Sequence, residues 1–179
     1  MDRLLQFGRL IDAVNQRMGT VASWCVLIAC LISAANAFSR YTISVSSNAW
    51  LEIQWYLFSA MFLLGASYTL KLNGHVRVDL VYGHVSRRAQ LWIDLLGAIF
   101  FMLPATAMLC WLSWPIFYNS FALGEMSTNP GGLIRWPVKL LLPVGFALLT
   151  LQGFSQVIKL VAEITGRSEL DAAYEKPVQ

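Results

Sequence analysis

Seven ionisable residues lie in or beside long apolar runs of the sequence: Arg40, Glu52, Asp94, Arg135, Lys139, Lys159 and Glu163. Each falls within a few turns of the end of its run, where a charged tip can reach water. They do not form the mid-depth cluster that a self-contained secondary transporter builds between its repeats. Glu52 is the one candidate for a lone intramembrane carboxylate, the chemistry by which a small dimeric transporter of the multidrug-exporter kind could bind cargo. Its expected depth is interfacial, which instead suits an ion pair with a cation such as Arg40 across a short hairpin, a contact with a partner chain, or simple hydration.

The other reactive types point away from catalysis. Cys25, Cys30 and Cys110 all lie inside apolar runs, with no C-x-x-C or Cys/His ligand spacing, and read as small buried apolar side chains. His75 and His84 fall in a polar connection, where they could not ligate haem across a helical bundle. No H-E-x-x-H, P-loop or G-x-S-x-G motif occurs. Neither an enzymatic activity nor a cofactor or metal in this chain is expected.

The elements that carry these residues follow from composition. Of 179 residues, 57% are hydrophobic and only 13% charged, and the mean hydropathy is +0.57. A soluble domain could not cover itself with so little polar surface. The net charge of +3 is scattered among apolar stretches, which excludes the basic stripe that nucleic-acid binding requires. A hydrocarbon core of about 30 Å needs about 20 helical residues to cross it. Four stretches meet that length: about residues 19–38, 50–70, 91–118 and 136–161. The expected fold is therefore an all-α integral membrane protein with four transmembrane helices in a domain over 19–165.

Orientation follows from the basic residues. Arg3, Arg9 and Arg17 before the first span, Lys71, Arg77, Arg87 and Arg88 in the middle connection, and Lys159, Arg167 and Lys176 at the end outnumber Arg40, Arg135 and Lys139 in the other two connections. Basic residues are retained on the cytoplasmic side, so both termini are expected inside (N-in/C-in). Trp50, Trp55, Trp114, Trp136, Tyr41 and Tyr118 then gather near the outer boundary, as an aromatic belt would. Ala35-Asn36-Ala37 resembles a signal-peptide cleavage site, but the run before it is long for one, and the segment is expected to be retained.

In residues 1–18, Leu4, Phe7, Ile11, Val14 and Met18 recur at spacings of three and four with polar residues between them. That pattern predicts an N-terminal amphipathic interfacial helix lying on the lipid bilayer, or one packed on a partner subunit. Asn129-Pro130-Gly131-Gly132 predicts a turn in the outer loop, after which Pro137 opens the last span. Pro104, Pro115 and Pro143 are expected to kink or end helices. The middle connection has Gly74 and Gly83 as breakers, and residues 166–179 form a polar tail.

Asn36-Ala37-Phe38-Ser39-Arg40-Tyr41, then Trp50-Leu51-Glu52, Phe62-Leu63-Leu64-Gly65-Ala66 and Gly74-His75-Val76-Arg77-Val78-Asp79, occur here in that order. With the later Asn129-Pro130-Gly131-Gly132 and Pro143-Val144-Gly145-Phe146, the chain resembles the small permease subunit, DctQ-like, of tripartite ATP-independent periplasmic (TRAP) transporters over about residues 15–165. The resemblance implies a multi-pass protein of the bacterial inner membrane. Its implied partners are a large membrane subunit that carries substrate and sodium ions and a periplasmic binding protein that delivers organic acids. The small chain would be a scaffold. Arg40, Glu52, His75 and Asp79 match the family and would hold hairpin ends or contact the large subunit, while Glu125, Ser127 and Asn129 could touch the periplasmic protein. Members often carry a second acid next to the position of Glu52, where this chain has Ile53, Gln54 and Trp55.

Overall fold

The computed structural model describes residues 2–74 and 85–166, and His75 and Asp79 lie outside them. The described residues are helical apart from short connections: α1 (Asp2–Ile43), α2 (Asn48–Lys71), α3 (Arg87–Gly97), a π-helical turn (Ala98–Met102), α4 (Leu103–Ala122) and α5 (Trp136–Ile164). Among them, three helices are long and apolar enough to cross a membrane, namely Arg3–Ile43, the continuous Arg87–Ala122 and Trp136–Ile164. The second predicted span coincides with α2. Its 24 residues are long enough, but Asn48, Glu52, Gln54 and Ser59 make it less apolar than the other three.

Local chemistry sets the ends of these helices. Ser47 caps α2 by accepting from Ala49 N at 3.3 Å, and Ser86 caps α3 by accepting from Ala89 N at 3.4 Å. At the other end of α2, Asn73 takes a positive φ of 52°. Asn73 N then donates to Leu70 O, and Gly74 N to Thr69 O at 2.9 Å, closing two carbonyls that the helix leaves open. Pro137 stands in the first turn of α5, as the sequence predicts. Pro115 and Pro143 are contained within α4 and α5 without ending them. The π turn lies immediately before Leu103-Pro104, where a widened turn takes up the proline's missing N–H and its clash with the preceding turn.

α5 is the central column, touching α1, α2, α4 and α3, while α2 also packs along α1. The interior combines small and polar residues with a few leucines. Ala22 and Cys25 of α1 meet Ala60 and Leu64 of α2, and Leu91 and Leu95 of α3 meet Leu160 of α5. Large apolar side chains point outward instead, among them Phe38, Phe62, Phe101 and Trp111. Lipid is as apolar as leucine, so close backbone approach and interhelical hydrogen bonds hold such a bundle together. Gly145 lets α5 lie close against α2: a Cβ there would lie 2.8 Å from Leu63 Cβ and 3.0 Å from the Leu63 carbonyl oxygen.

α1 runs without a break, so the N-terminal stretch 1–18 and the first predicted span are one helix. Of the apolar stripe read from the sequence, Ile11 is buried while Leu4, Phe7 and Val14 are exposed. The buried face is instead Gly8, Ile11, Asn15, Gly19, Ala22, Cys25 and Ala29. Cys30 is exposed and Cys110 half-buried, so only Cys25 is the buried cysteine expected of all three. The outward-facing sulfur of Cys30 meets the surroundings because the helix turns it away from Cys25 and Ala29.

Candidate functional site

Glu52 stands in the first turns of α2 and is 2% exposed. Burial of a carboxylate requires donors, and the loop between α4 and α5 supplies them. Gly124 (φ 57°) ends α4, with Glu125 N donating to Ser120 O at 3.0 Å, and sends the chain back over α2. Pro130 and Gly131 (φ 69°) then form a turn closed by Gly132 N donating to Asn129 O at 3.0 Å. The loop legs pair at Ser127 N to Leu133 O, 2.9 Å, and Arg135 N to Glu125 O, 2.8 Å.

This pairing aims three donors at one carboxylate. The Ser127 hydroxyl and Asn129 Nδ2 (2.9 Å) donate to Glu52 Oε1, and the Leu133 backbone N–H donates to Oε2 at 2.7 Å. Arg135 is the neighbouring cation, 3.9 Å from Glu52 Oε1 and donating to Ser127 Oγ at 3.1 Å. Arg40 is exposed near the end of α1, and the cation expected there is Arg135 instead. Asn48 Nδ2 donates to Pro130 O at 3.0 Å and Tyr56 OH to Ile134 O at 2.9 Å, so α2 holds the loop at three points. Glu125 is ion-paired with Lys139, whose hydrogen bond holds the Glu125 carboxyl below its ordinary range. Of the residues read as a periplasmic contact, Ser127 and Asn129 are thus turned inward to Glu52, and Glu125 to the start of α5.

A second polar cluster lies at the other end of the bundle. Asp12 of α1 accepts from Gln152 Nε2 at 2.9 Å, Ser155 Oγ at 3.0 Å and Lys159 Nζ, all on α5. Asn15 Nδ2 donates to Gln152 Oε1 at 2.6 Å, and Ser155 Oγ also reaches the Gly8 carbonyl at 3.2 Å. Asn15, Gln152 and Ser155 are fully buried. Nearby, Arg87 of α3 pairs with Glu163 of α5 at 2.9 Å. Sequence reading missed this clasp. Its signal was present as small and polar residues at helical spacing: Gly8, Asp12 and Asn15 on one helix, Gln152, Ser155 and Lys159 on the other.

Among the described residues no group of three His, Cys, Asp or Glu could hold a metal ion. What the two clusters do is fasten elements: one ties a loop to α2, the other ties α1 to α5.

Sequence comparison agrees with a membrane component of this kind. The family "Tripartite ATP-independent periplasmic transporters, DctQ component" matches residues 10–163. Over 104 residues the chain is 28% identical to the C4-dicarboxylate TRAP transporter small permease protein DctQ of Pseudomonas aeruginosa, covering 57% of this chain and 49% of that protein. The match therefore spans about half the length of that relative. No solved structure matches the chain. With the family match running through nearly all the described helices and three of them able to cross a bilayer, this multi-pass protein of the bacterial inner membrane belongs to the DctQ component family of tripartite ATP-independent periplasmic transporters.

Proposed function

We propose that this small TRAP subunit is a scaffold, a four-helix bundle with both termini inside that anchors a large substrate- and sodium-carrying membrane subunit while a periplasmic binding protein delivers an organic acid. The observation that carries this reading is the use made of two inward-facing carboxylates, one buried and one half-buried. Glu52 and Asp12 are each filled by donors from another part of the same chain. Cargo would have to displace those donors, whereas a part that must stay still while its partner moves gains rigidity from them. The same geometry speaks against a stand-alone transporter working through Glu52. Its apolar exterior, with Trp111, Phe101 and Phe62 turned outward, offers surface to lipid and to a larger membrane partner.

Coexpression with the genes beside it tests the proposal. The chain should co-purify with a larger membrane protein, and its deletion should abolish uptake of the solute that the accompanying binding protein recognises. Uptake that survives the deletion, or solute movement by the small chain reconstituted alone that is lost on Glu52→Gln, would overturn the scaffold reading.

A further inference from the structure

Beyond Ser23 the outward face of α1 is largely apolar, and before it the face is polar at Arg9, Gln16, Arg17 and Thr20. Exposed Gln16, Thr20 and Ser23 line an open groove between α1 and α2, together with Trp24, Leu27 and Tyr68. Thr20 and Ser23 direct their hydroxyls to the carbonyls of Gln16 and Gly19 in their own helix. The wall of the groove is therefore largely satisfied, and apolar contact with Trp24 and Leu27 is open along it.

One end of the groove has a different chemistry. Lys71 Nζ donates to Gln16 Oε1 at 2.6 Å, and Gln16 Nε2 donates to Tyr68 OH at 3.5 Å. An ammonium carries three donors and a phenol one. Two N–H groups of Lys71 and the O–H of Tyr68 thus have no acceptor among the described residues, and no described carboxylate pairs with Lys71. Gly19 helps to aim the phenol, since a Cβ there would lie 2.5 Å from Tyr68 Cγ and push the ring off α1. Clustered donors around an uncompensated positive charge make a site for an anion, most of all for phosphate oxygens.

From Gln16 to Leu27, α1 rises about 17 Å, close to the depth of one leaflet in a core about 30 Å thick. A free phosphate would use only the donor end. We propose that the groove binds one anionic phospholipid, its phosphate held by Lys71, Tyr68 and Gln16 and an acyl chain laid along Thr20, Ser23, Trp24 and Leu27. The site belongs to α1 and α2 alone and stands whether or not the scaffold role does.

Native mass spectrometry of the full chain in detergent, titrated with phosphatidylglycerol and with phosphatidylcholine of the same chains, tests it. One phosphatidylglycerol should bind at least about fivefold tighter than phosphatidylcholine, the preference expected of one well-placed cation. Lys71→Gln should erode that preference, Lys71→Arg should keep it, Arg40→Gln should leave it unchanged, and Tyr68→Phe, which removes a donor to the phosphate shared by both lipids, should weaken the binding of each. If Lys71→Gln fails to fold, weaker phosphatidylglycerol binding in Tyr68→Phe still decides for the site, and unchanged binding there decides against it. Equal binding of the two lipids, an equal loss with Arg40→Gln, or displacement by inorganic phosphate would overturn the proposal. So would a photo-crosslinker at Thr20 that captures a polypeptide in native membranes and no lipid.

Discussion

A carboxylate beside an apolar run must find either water or donors. Glu52 finds three donors that lie 75 to 81 residues away along the chain, and the Pro130-Gly131 turn brings them back to it. Charge-assisted hydrogen bonds are worth about 1.5–3 kcal/mol each, and a buried donor left unmade costs about as much. Glu52→Ala should therefore destabilise the chain by about 3 kcal/mol or more, with Ser127→Ala costing less, as read by thermal unfolding in micelles. A Glu52→Ala variant that melts with the wild type would show that the loop is held by other means. Glu52 and the Pro130-Gly131 turn were legible in the sequence, whereas the donors to Glu52 were not, since no spacing rule reaches across 75 to 81 residues. Glu125 gives a pH signature. Its carboxyl is held below the ordinary value of 4.5, first by the Lys139 hydrogen bond. A depressed folded-state value contributes stability above pH 4.5 that is lost as pH falls through the folded value. Acid melting curves should thus drop below that pH, and Lys139→Met should flatten the part of the drop that Glu125 causes.

At the scale of elements, span length and turn chemistry were readable because each depends on neighbours in sequence: bilayer thickness fixes how many apolar residues a crossing needs, and Pro137 marks a start that the chain uses. Which face of a helix turns inward was harder. In a soluble protein the apolar stripe of residues 4–18 would be buried. Here Leu4, Phe7 and Val14 face out, and the clasp of Asp12 and Asn15 on Gln152, Ser155 and Lys159 faces in. The rule inverts because an apolar solvent removes the reason to hide leucine and leaves every reason to hide a carboxylate. Close approach then rests on glycine. Gly145→Ala should cost about 1–3 kcal/mol, the range for overpacking, because its Cβ meets the Leu63 backbone as well as its side chain. Leu63→Gly on the same background, which removes the Cβ at 2.8 Å, should relieve only part of the clash, since the carbonyl remains at 3.0 Å. Full recovery would mean that only the side chain resists.

For the whole molecule, α2 decides how many times the chain crosses. By apolarity α2 falls short of the other three long helices. Its position argues more strongly. One end, at Asn48, is tied to Pro130 in the loop between α4 and α5. The other, at Lys71 and Asn73, is tied to Gln16 and to Gln156 beside the Asp12 clasp. Between them lie 24 residues, about 36 Å of helix, with Ala60, Leu64 and Ser67 buried. If α1 and α5 cross, a helix lying between their two ends crosses with them, and its polar residues near Glu52 are paid for by the loop that covers them. The prediction is four crossings with the Lys71 end inside. Single cysteines at exposed Val45 and Leu72, in a background where Cys25, Cys30 and Cys110 are replaced, check it with a membrane-impermeant maleimide. The residue at 45 should label in intact spheroplasts and the one at 72 only in inverted vesicles. Labelling of both from one side would leave α2 on the surface and reduce the bundle to three crossings, which would also put the two termini on opposite sides of the membrane.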